Sequence, residues 1–508
     1  MAVTVTETEI KYEAGPETGL PRLDTLPNVA AVREPDEQHL VAEYFDTADL
    51  RLLAAGITLR RRTGGGDAGW HLKLPAAPGS REEIRLPPGR AGRVPAELAD
   101  LVRARTRGVA LVPVATITTV RRVSTLVGAH GESLAEVADD SVRAVALHDP
   151  GDSGRAIEWR EIEVELTGGD GALLAAADSL LRDTGLQRSL RSAKLERVLG
   201  ERPREPSGPA QPARSASASE VIGAYLRGQA EQLKSLDPKV RRAEPDSVHQ
   251  MRVASRRLRS ALGSFGAVIS RPQTDHLAAE LRWLSGVLGE ARDAEVQAER
   301  LGEQVRHSEA EELIGPVGAR VQAYGAETRA ASMKAVFAAL KSARYYALLD
   351  ELDQLTADLP PGPAAGDSAR QALPAAVSRS YRKMRRRMRA ALKAPAGTPR
   401  EAALHQARKA AKQARYAAEA VAPVLGGDAA RFGKRMKKLQ TVLGDHQDTV
   451  VARQLARRLS VAAQQAGESA FSYGLFYGRD ACEGAQLQAK AANTWREASR
   501  RRYRRWLP

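Results

Sequence analysis

Two segments that begin at His249 and His405, 156 residues apart, constrain this chain more than any other feature. HQMRVASRRLR (249–259) is matched by HQARKAAKQAR (405–415), and Tyr225 and Tyr381 each precede their histidine by 24 residues. LSGVLGEARDAEV (284–296) finds its counterpart in LQTVLGDHQDTVV (439–451), after one residue of length difference. From about residue 220 the chain is rich in Ala, Leu and Arg with a period of about 3.6, which reads as all helix. A break, ADLPPGPAAGDSARQALP (357–374), divides it. A repeat of this length predicts two copies of one helical bundle, about 218–356 and 375–508, making up a helical domain over 218–508.

The front of the chain has a different grammar. ERPREPSGPAQPARSASAS (201–219) lacks any hydrophobic period, so a Pro/Ser/Ala-rich linker is expected over 201–217. Ahead of it, YFDTADLRLLAAGITLRRRTGGGDAGWHLKLP suggests a strand, a short helix at about 48–55, and a strand hairpin turning at Gly64–Gly69. REEIRLP, ATITTVRRVSTL, LAEVADDSVRAVAL and WREIEVELT read as further strands, and GALLAAADSLLRDTG as a helix stopped by Gly185. The whole is an α+β multidomain chain.

Charge divides along the same line. Residues 1–200 hold 25 Lys+Arg and 30 Asp+Glu, net −5; the chain totals of 77 and 62 leave 52 and 32, net +20, for the rest. A basic back half implies a polyanionic partner. The one cysteine, Cys482, excludes an internal disulfide and a cysteine-rich zinc site. No stretch approaches the roughly 20 apolar residues of a membrane span, so no membrane partner and a cytoplasmic location are expected.

Within 1–200 the strands alternate charge with apolar residues. Glu7, Glu9, Lys11 and Glu13 share a face with Val3 and Val5; Glu161, Glu163 and Glu165 alternate with Ile162, Val164 and Leu166. Arg60 and Arg62, His71 and Lys73, and Arg81, Glu83 and Arg85 are similarly grouped. One such strand describes an ordinary half-exposed sheet. Several together favour a closed barrel with a polar lumen and a covered outside. Acids and bases in one lumen suit a polyphosphate bound with a divalent metal: carboxylates hold Mg²⁺ or Mn²⁺, and Arg and Lys neutralise phosphate oxygens.

Glu7-Thr-Glu9-Ile-Lys11 matches the ExExK signature of the CYTH domain, the triphosphate tunnel metalloenzyme superfamily, and the front of the chain resembles that family throughout. YFDT, GITLRRR, GWHLK, EIEVEL and SAKLERVL fall in the family's order over a domain spanning 1–200. The resemblance implies an eight-stranded antiparallel β-barrel tunnel that hydrolyses or cyclises triphosphates with metal. It makes Glu7 and Glu9 metal ligands, joined by two of Glu161, Glu163 and Glu165 and by Asp139 or Asp140. It gives phosphate contacts to Arg60, Arg62, Lys73, Arg85, Lys194 and one of Arg121 and Arg122. Lys11 would touch phosphate or orient the attacking water, making Glu7, Glu9 and Lys11 the catalytic group.

In the back half His249, Arg252, Arg256 and Arg259 share one helical face, and His405, Arg408, Lys412 and Arg415 repeat the spacing. A basic helix face is ordinarily solvated; the same offsets in both copies argue for an anion site, with imidazole donating to phosphate. The neighbouring cations argue against metal at the histidines. SRSYRKMRRRMR, with Arg382 and Arg386, and KRMKK, with Lys434 and Lys437, add cationic helices. Asp293 and Asp448, beyond Gly289 and Gly444, read as arginine partners or caps. The half resembles the CHAD domain over about 218–505 in its two histidine helices and both LGxxxD segments. That resemblance implies two pseudo-symmetric four-helix bundles whose basic groove binds inorganic polyphosphate.

The expected function is metal-dependent hydrolysis of inorganic triphosphate or short polyphosphate, tethered to polyphosphate binding and association with polyphosphate granules. A non-enzymatic polyphosphate binder is the first alternative. Binding of RNA or DNA is the second; aromatics at 4% and the absence of a groove-reading motif count against it.

Overall fold

The computed structural model describes residues 3–76, 80–89, 92–147, 156–189, 191, 193–200, 213 and 215–508. The chain divides into two compact units, Met1–Glu205 and Pro206–Pro508. Residues 201–212, most of the expected linker, lie outside the described residues.

The first unit is built on nine strands: β1 Val3–Ala14, β2 Ala31–Asp46, β3 Thr58–Thr63, β4 Gly69–Pro75, β5 Ser80–Leu86, β6 Val112–Val127, β7 Ser133–Ala146, β8 Ala156–Leu166 and the two-residue β9 Gln187–Arg188. They follow the order β5-β4-β3-β2-β6-β7-β8-β1, and β1 also pairs with β5, so eight antiparallel strands close a barrel; β9 adds to β1. β1 closes it by changing partner. Its residues 3–8 pair with β5 and its residues 9–14 with β8.

The alternation turns this barrel inside out: charge inside, hydrocarbon outside. Helices cover the apolar exterior, α1 Arg51–Ala54, α2 Ala96–Leu101, α3 Arg103–Thr106, α4 Gly171–Asp183 and α5 Lys194–Leu199. Leu173, Leu174, Ala177 and Leu181 of α4 pack on Tyr12, Val137, Ile162 and Val164. Leu52, Leu98 and Leu101 cover Phe45, Leu59, Trp70 and Ile84, and Leu195 covers Val114, Ile117 and Val142. The YFDT segment has a structural task. Buried Asp46 accepts the backbone N–H groups of Leu52 and Leu53 at 2.9 Å, capping α1 as it leaves the sheet. Asp170 does the same for α4, which ends at Gly185 with φ +91°. The turn from β3 to β4 requires Gly64: φ is +82°, and a Cβ there would meet the His39 carbonyl oxygen at 1.9 Å.

The second unit is helical: α6 Ala218–Arg241, α7 Ser247–Ser264, α8 Arg271–Arg306, α9 Val317–Leu340, α10 Ala343–Ala357, α11 Ala369–Lys393, α12 Thr398–Leu425, α13 Gly427–Gln465 and α14 Phe471–Ala498. The repeat pairs α6 with α11, α7 with α12, α8 with α13 and α9 with α14, two four-helix sets. α11 starts inside the expected break, carrying Pro374 in its second turn. α10 has no helical mate. It sits against α6, where Tyr345 donates to Asp237 at 3.1 Å and Lys234 to Asp353 at 2.9 Å. In the second set the segment after α14 takes that role: Trp506 packs edge-on to Phe432, and Ser378 donates to the Pro508 carbonyl at 2.6 Å.

Candidate functional sites

The barrel lumen is a cavity of about 700 Å³ lined by Glu7, Glu9, Lys11, Arg60, Arg62, Lys73, Arg85, Arg121, Glu163, Glu165 and Lys194. Strand register explains the gathering. Glu9 lies directly opposite Glu165, Lys11 opposite Glu163, and Glu165 opposite Glu136 on its other side. Like charges face to face across a strand pair are destabilising. Burial, then the Glu7 charge, push the Glu165 carboxyl up to about 7, against the pull of Lys73. Among the described residues no ion pair relieves Glu165. Glu165 offers oxygen donors without their own counter-charge beside Glu7 and Glu9, the chemistry that a hard divalent cation completes, so the three carboxylates fit one.

The rest of the lumen is neutralised internally. Lys11 bonds Glu163 and lies 3.2 Å from Glu9. Arg121 forks onto Asp140 at 2.8 and 2.6 Å and reaches Glu163 at 2.6 Å. Asp140, Glu161 and Glu163 form a buried acidic cluster that could hold a metal; Lys194 stands 2.6–2.8 Å from all three. Lys73 bonds Glu7 and lies 3.7 Å from Glu83. Against the cost of burial, the His71 hydrogen bond and the Lys73 and Arg60 charges hold Glu83 well below the usual carboxylate range. Arg60 donates to the Tyr44 hydroxyl at 3.3 Å. Arg62 pairs with Asp67 at the hairpin turn.

Two pairs of alternatives separate by face. Asp140 points inward, whereas Asp139 is held by Arg160 at 2.7 and 2.8 Å. Arg121 points inward, whereas Arg122 is exposed and pairs with Glu37 at 3.0 Å. Glu13, on the ExExK face, bonds Ser189 at 2.6 Å and pairs with Arg197, tying β1 to the segment after β9. Glu83 and His71 are residues that sequence reasoning left out of the site, although both share faces with Arg85 and Lys73.

In the helical unit α7 packs on α12, with Arg257 reaching Glu419 at 3.2 Å. This brings together the two histidine faces. Burial, then Arg256, Arg408, Arg252 and Arg415, lower the Lys412 ammonium to about 6; burial and Arg252 lower Arg256 to about 10. His249 is lowered by burial and by Arg292 of α8, and His405 by burial and Lys409. Both repeats leave the same atoms buried without a partner: His249 and His405 Nδ1, Arg252 and Arg408 Nε. The LGxxxD glycines lie against these arginines: a Cβ on Gly289 would make ordinary contact with the Arg252 guanidinium at 3.4 Å, and one on Gly444 with Arg408 at 3.5 Å. Asp293 pairs with Arg252 at 3.0 Å. Burial, then the Arg282 charge, lower the Arg259 guanidinium, and Arg415 bonds Glu419 at 2.6 Å. Arg382 and Arg386 on α11 and Lys434 and Lys437 on α13 are exposed, and among the described residues no hydrogen bond or ion pair joins them to the cluster.

A closed tunnel of mixed charge, in a chain that also carries two matched histidine helices, defines a class of two-domain protein. Residues 6–197 match the CYTH domain and residues 224–457 the CHAD domain. The chain belongs to the family that joins a CYTH domain to a CHAD domain. The uncharacterized proteins Rv2226 and MT2285 of Mycobacterium tuberculosis are each 38% identical to it over 507 residues, covering 96% of this chain and 95% of theirs. Similar solved structures include PptA from Streptomyces chartreusis, 21% identical with a TM-score of 0.48, covering 55% of this chain and all of that one. The CHAD domain from the plant Ricinus communis is 28% identical with a TM-score of 0.45, covering 57% of this chain and 96% of that one. Among the described residues no helix is long and apolar enough to cross a membrane.

Proposed function

We propose that the barrel hydrolyses inorganic triphosphate or short polyphosphate with Mg²⁺ or Mn²⁺, and that the helical unit binds inorganic polyphosphate. The observation that carries the first part is the lumen row in which Glu9 opposes Glu165, a carboxylate with no ion pair among the described residues, in a cavity also lined by Arg and Lys. Glu7, Glu9 and Glu165 would hold the metal, which when bound lowers the pKa of a water and draws charge from the phosphate. Arg60, Arg85, Lys73 and Arg121 neutralise the terminal and bridging oxygens, and charge developing on the leaving pyrophosphate is met by groups already in place. Lys11, held by Glu9 and Glu163, positions the water or supplies a proton to the leaving oxygen. Among the described residues Tyr44 is the only aromatic side chain lining the cavity, which favours a substrate without a base.

The measurement is phosphate release from inorganic triphosphate with either metal. Glu7→Gln together with Glu9→Gln should lower the rate by about two orders of magnitude or more while preserving the fold. Equal release by variant and wild type, or none by either, overturns the enzymatic reading. A barrel that binds without cleaving is the second reading, favoured by the seat of Lys194 on Asp140, Glu161 and Glu163.

For the helical unit the carrying observation is the repeated pair of unpartnered imidazole and guanidinium nitrogens. Buried donors left open are costly unless a ligand accepts from them. Arg252→Gln with Arg408→Gln should weaken polyphosphate binding at least tenfold at matched salt.

A further inference from the structure

The helix α11 holds nine Lys and Arg in 25 residues and no Asp or Glu. Its repeat mate α6 mixes Glu220, Glu231 and Asp237 among four cations, so the bundle itself does not demand the basic composition. The buried stripe of α11 is Leu373, Val377, Tyr381, Met384 and Met388. On the opposite side Arg379, Arg382, Arg386, Arg389 and Lys393 stand exposed at offsets of 0, 3, 7, 10 and 14, a row about 21 Å long at 1.5 Å per residue. Like charges on successive turns repel. Among the described residues no carboxylate pairs with any cation of α11.

Two further features extend the row. At its N-terminal end lies an open cleft of about 690 Å³ bounded by Arg271, Arg379, Lys383 and Ser264, with no carboxylate in its lining. The repeat mates of Arg271 and Arg379 are Gly427 and Gly223, so the other half lacks these two arginines at the equivalent positions. Farther along, Arg504 from the segment after α14 joins Arg385 and Arg389 around Tyr381. Two of the local aromatic rings are already covered: Tyr381 is buried under Arg504, and Tyr503 has the Arg435 and Arg502 guanidiniums 4.5 and 4.7 Å from its ring centre. Bare phosphates need no ring to stack on.

We propose that the outer face of α11 is a second track for linear inorganic polyphosphate, separate from the histidine cluster. The histidine cluster is carried by α7 and α12, whereas this row lies on α11. The proposal rests on the helical unit being a polyphosphate binder, and its test separates the two ideas.

The test is binding of long-chain inorganic polyphosphate to the full chain across a salt series. Variants are an outer set (Arg382→Gln, Arg386→Gln, Arg389→Gln), an inner set (Arg252→Gln, Arg408→Gln, Lys412→Gln) and both combined. The outer set should lose at least tenfold in affinity and reduce the log–log salt slope by about 2, taking about 0.7 per contact for a single chain. The inner set should keep the part of the slope that the outer set loses, and the same outer positions changed to Lys should restore it. Helicity by circular dichroism checks that these exposed changes leave the fold intact. An outer set that matches wild type in affinity and slope overturns the second track alone. Wild type that binds no polyphosphate overturns both readings. Single-stranded RNA held by the inner-set protein as tightly as polyphosphate at matched salt overturns the assignment of the ligand.

Discussion

At Lys412 burial and four arginines leave an ammonium whose ordinary pKa of 10.5 falls to about 6. Between those values the unfolded chain carries one more proton than the folded one, so this residue makes stability rise with pH from about 6 to 10.5 and costs a constant amount below. The melting temperature of the helical unit should climb across that window, and Lys412→Met should flatten the climb. A polyphosphate chain bound there, as proposed, would restore the charge. Binding at pH 8 should therefore take up about one proton per chain bound, read by calorimetry in buffers of different ionisation heat, and Lys412→Arg should bind without that uptake. At the same scale, sequence narrowed the charged faces to short stretches and stopped at adjacent residues. Asp139 and Asp140 are consecutive, so they take opposite faces, as do Arg121 and Arg122. One register settles both, because Arg121 lies opposite Asp140 and Arg122 opposite Asp139. Alternation named the two faces; only strand pairing shows which one is inside.

Elements were legible where a period or a breaker is strong. The hairpin glycines marked β3–β4 correctly, and Gly64→Ala should destabilise the barrel by roughly 2 kcal/mol or more, since it adds both a positive φ and an overlap with the His39 carbonyl. Chemical denaturation of the first unit measures it, and a change of a few tenths would show that the turn relaxes freely. The repeat announced α6–α9 and α11–α14. It said nothing of α10, which has no counterpart in sequence because its place in the other copy is filled by a segment of different shape. Phe432, fully buried between Tyr381 and Trp506, reports on that substitution. Phe432→Ala should cost about 3–5 kcal/mol in the helical unit and nothing in the barrel. The LGxxxD glycines were read only as markers, since the value of a missing Cβ depends on which arginine lies across it.

Over the whole molecule, each unit has its own buried core. Heating should therefore give two calorimetric transitions, triphosphate with metal raising one and polyphosphate the other. One merged transition unmoved by either ligand would contradict this. The fold classes were readable because charge, period and linker composition all change at the same place; the outer row of α11 was visible as a basic run, but not as a row without acid partners.

The way β1 divides its pairing has a consequence in time. Lys11 and its partner Glu163 are separated by 152 residues of chain. During synthesis the first half of β1 can pair with β5 as soon as that strand is made, but its second half, with Glu9 and Lys11, must wait in water until β8 follows. The seam that closes the tunnel therefore forms late, and any pause before residue 163 leaves the 9–14 half of β1 exposed as an open strand.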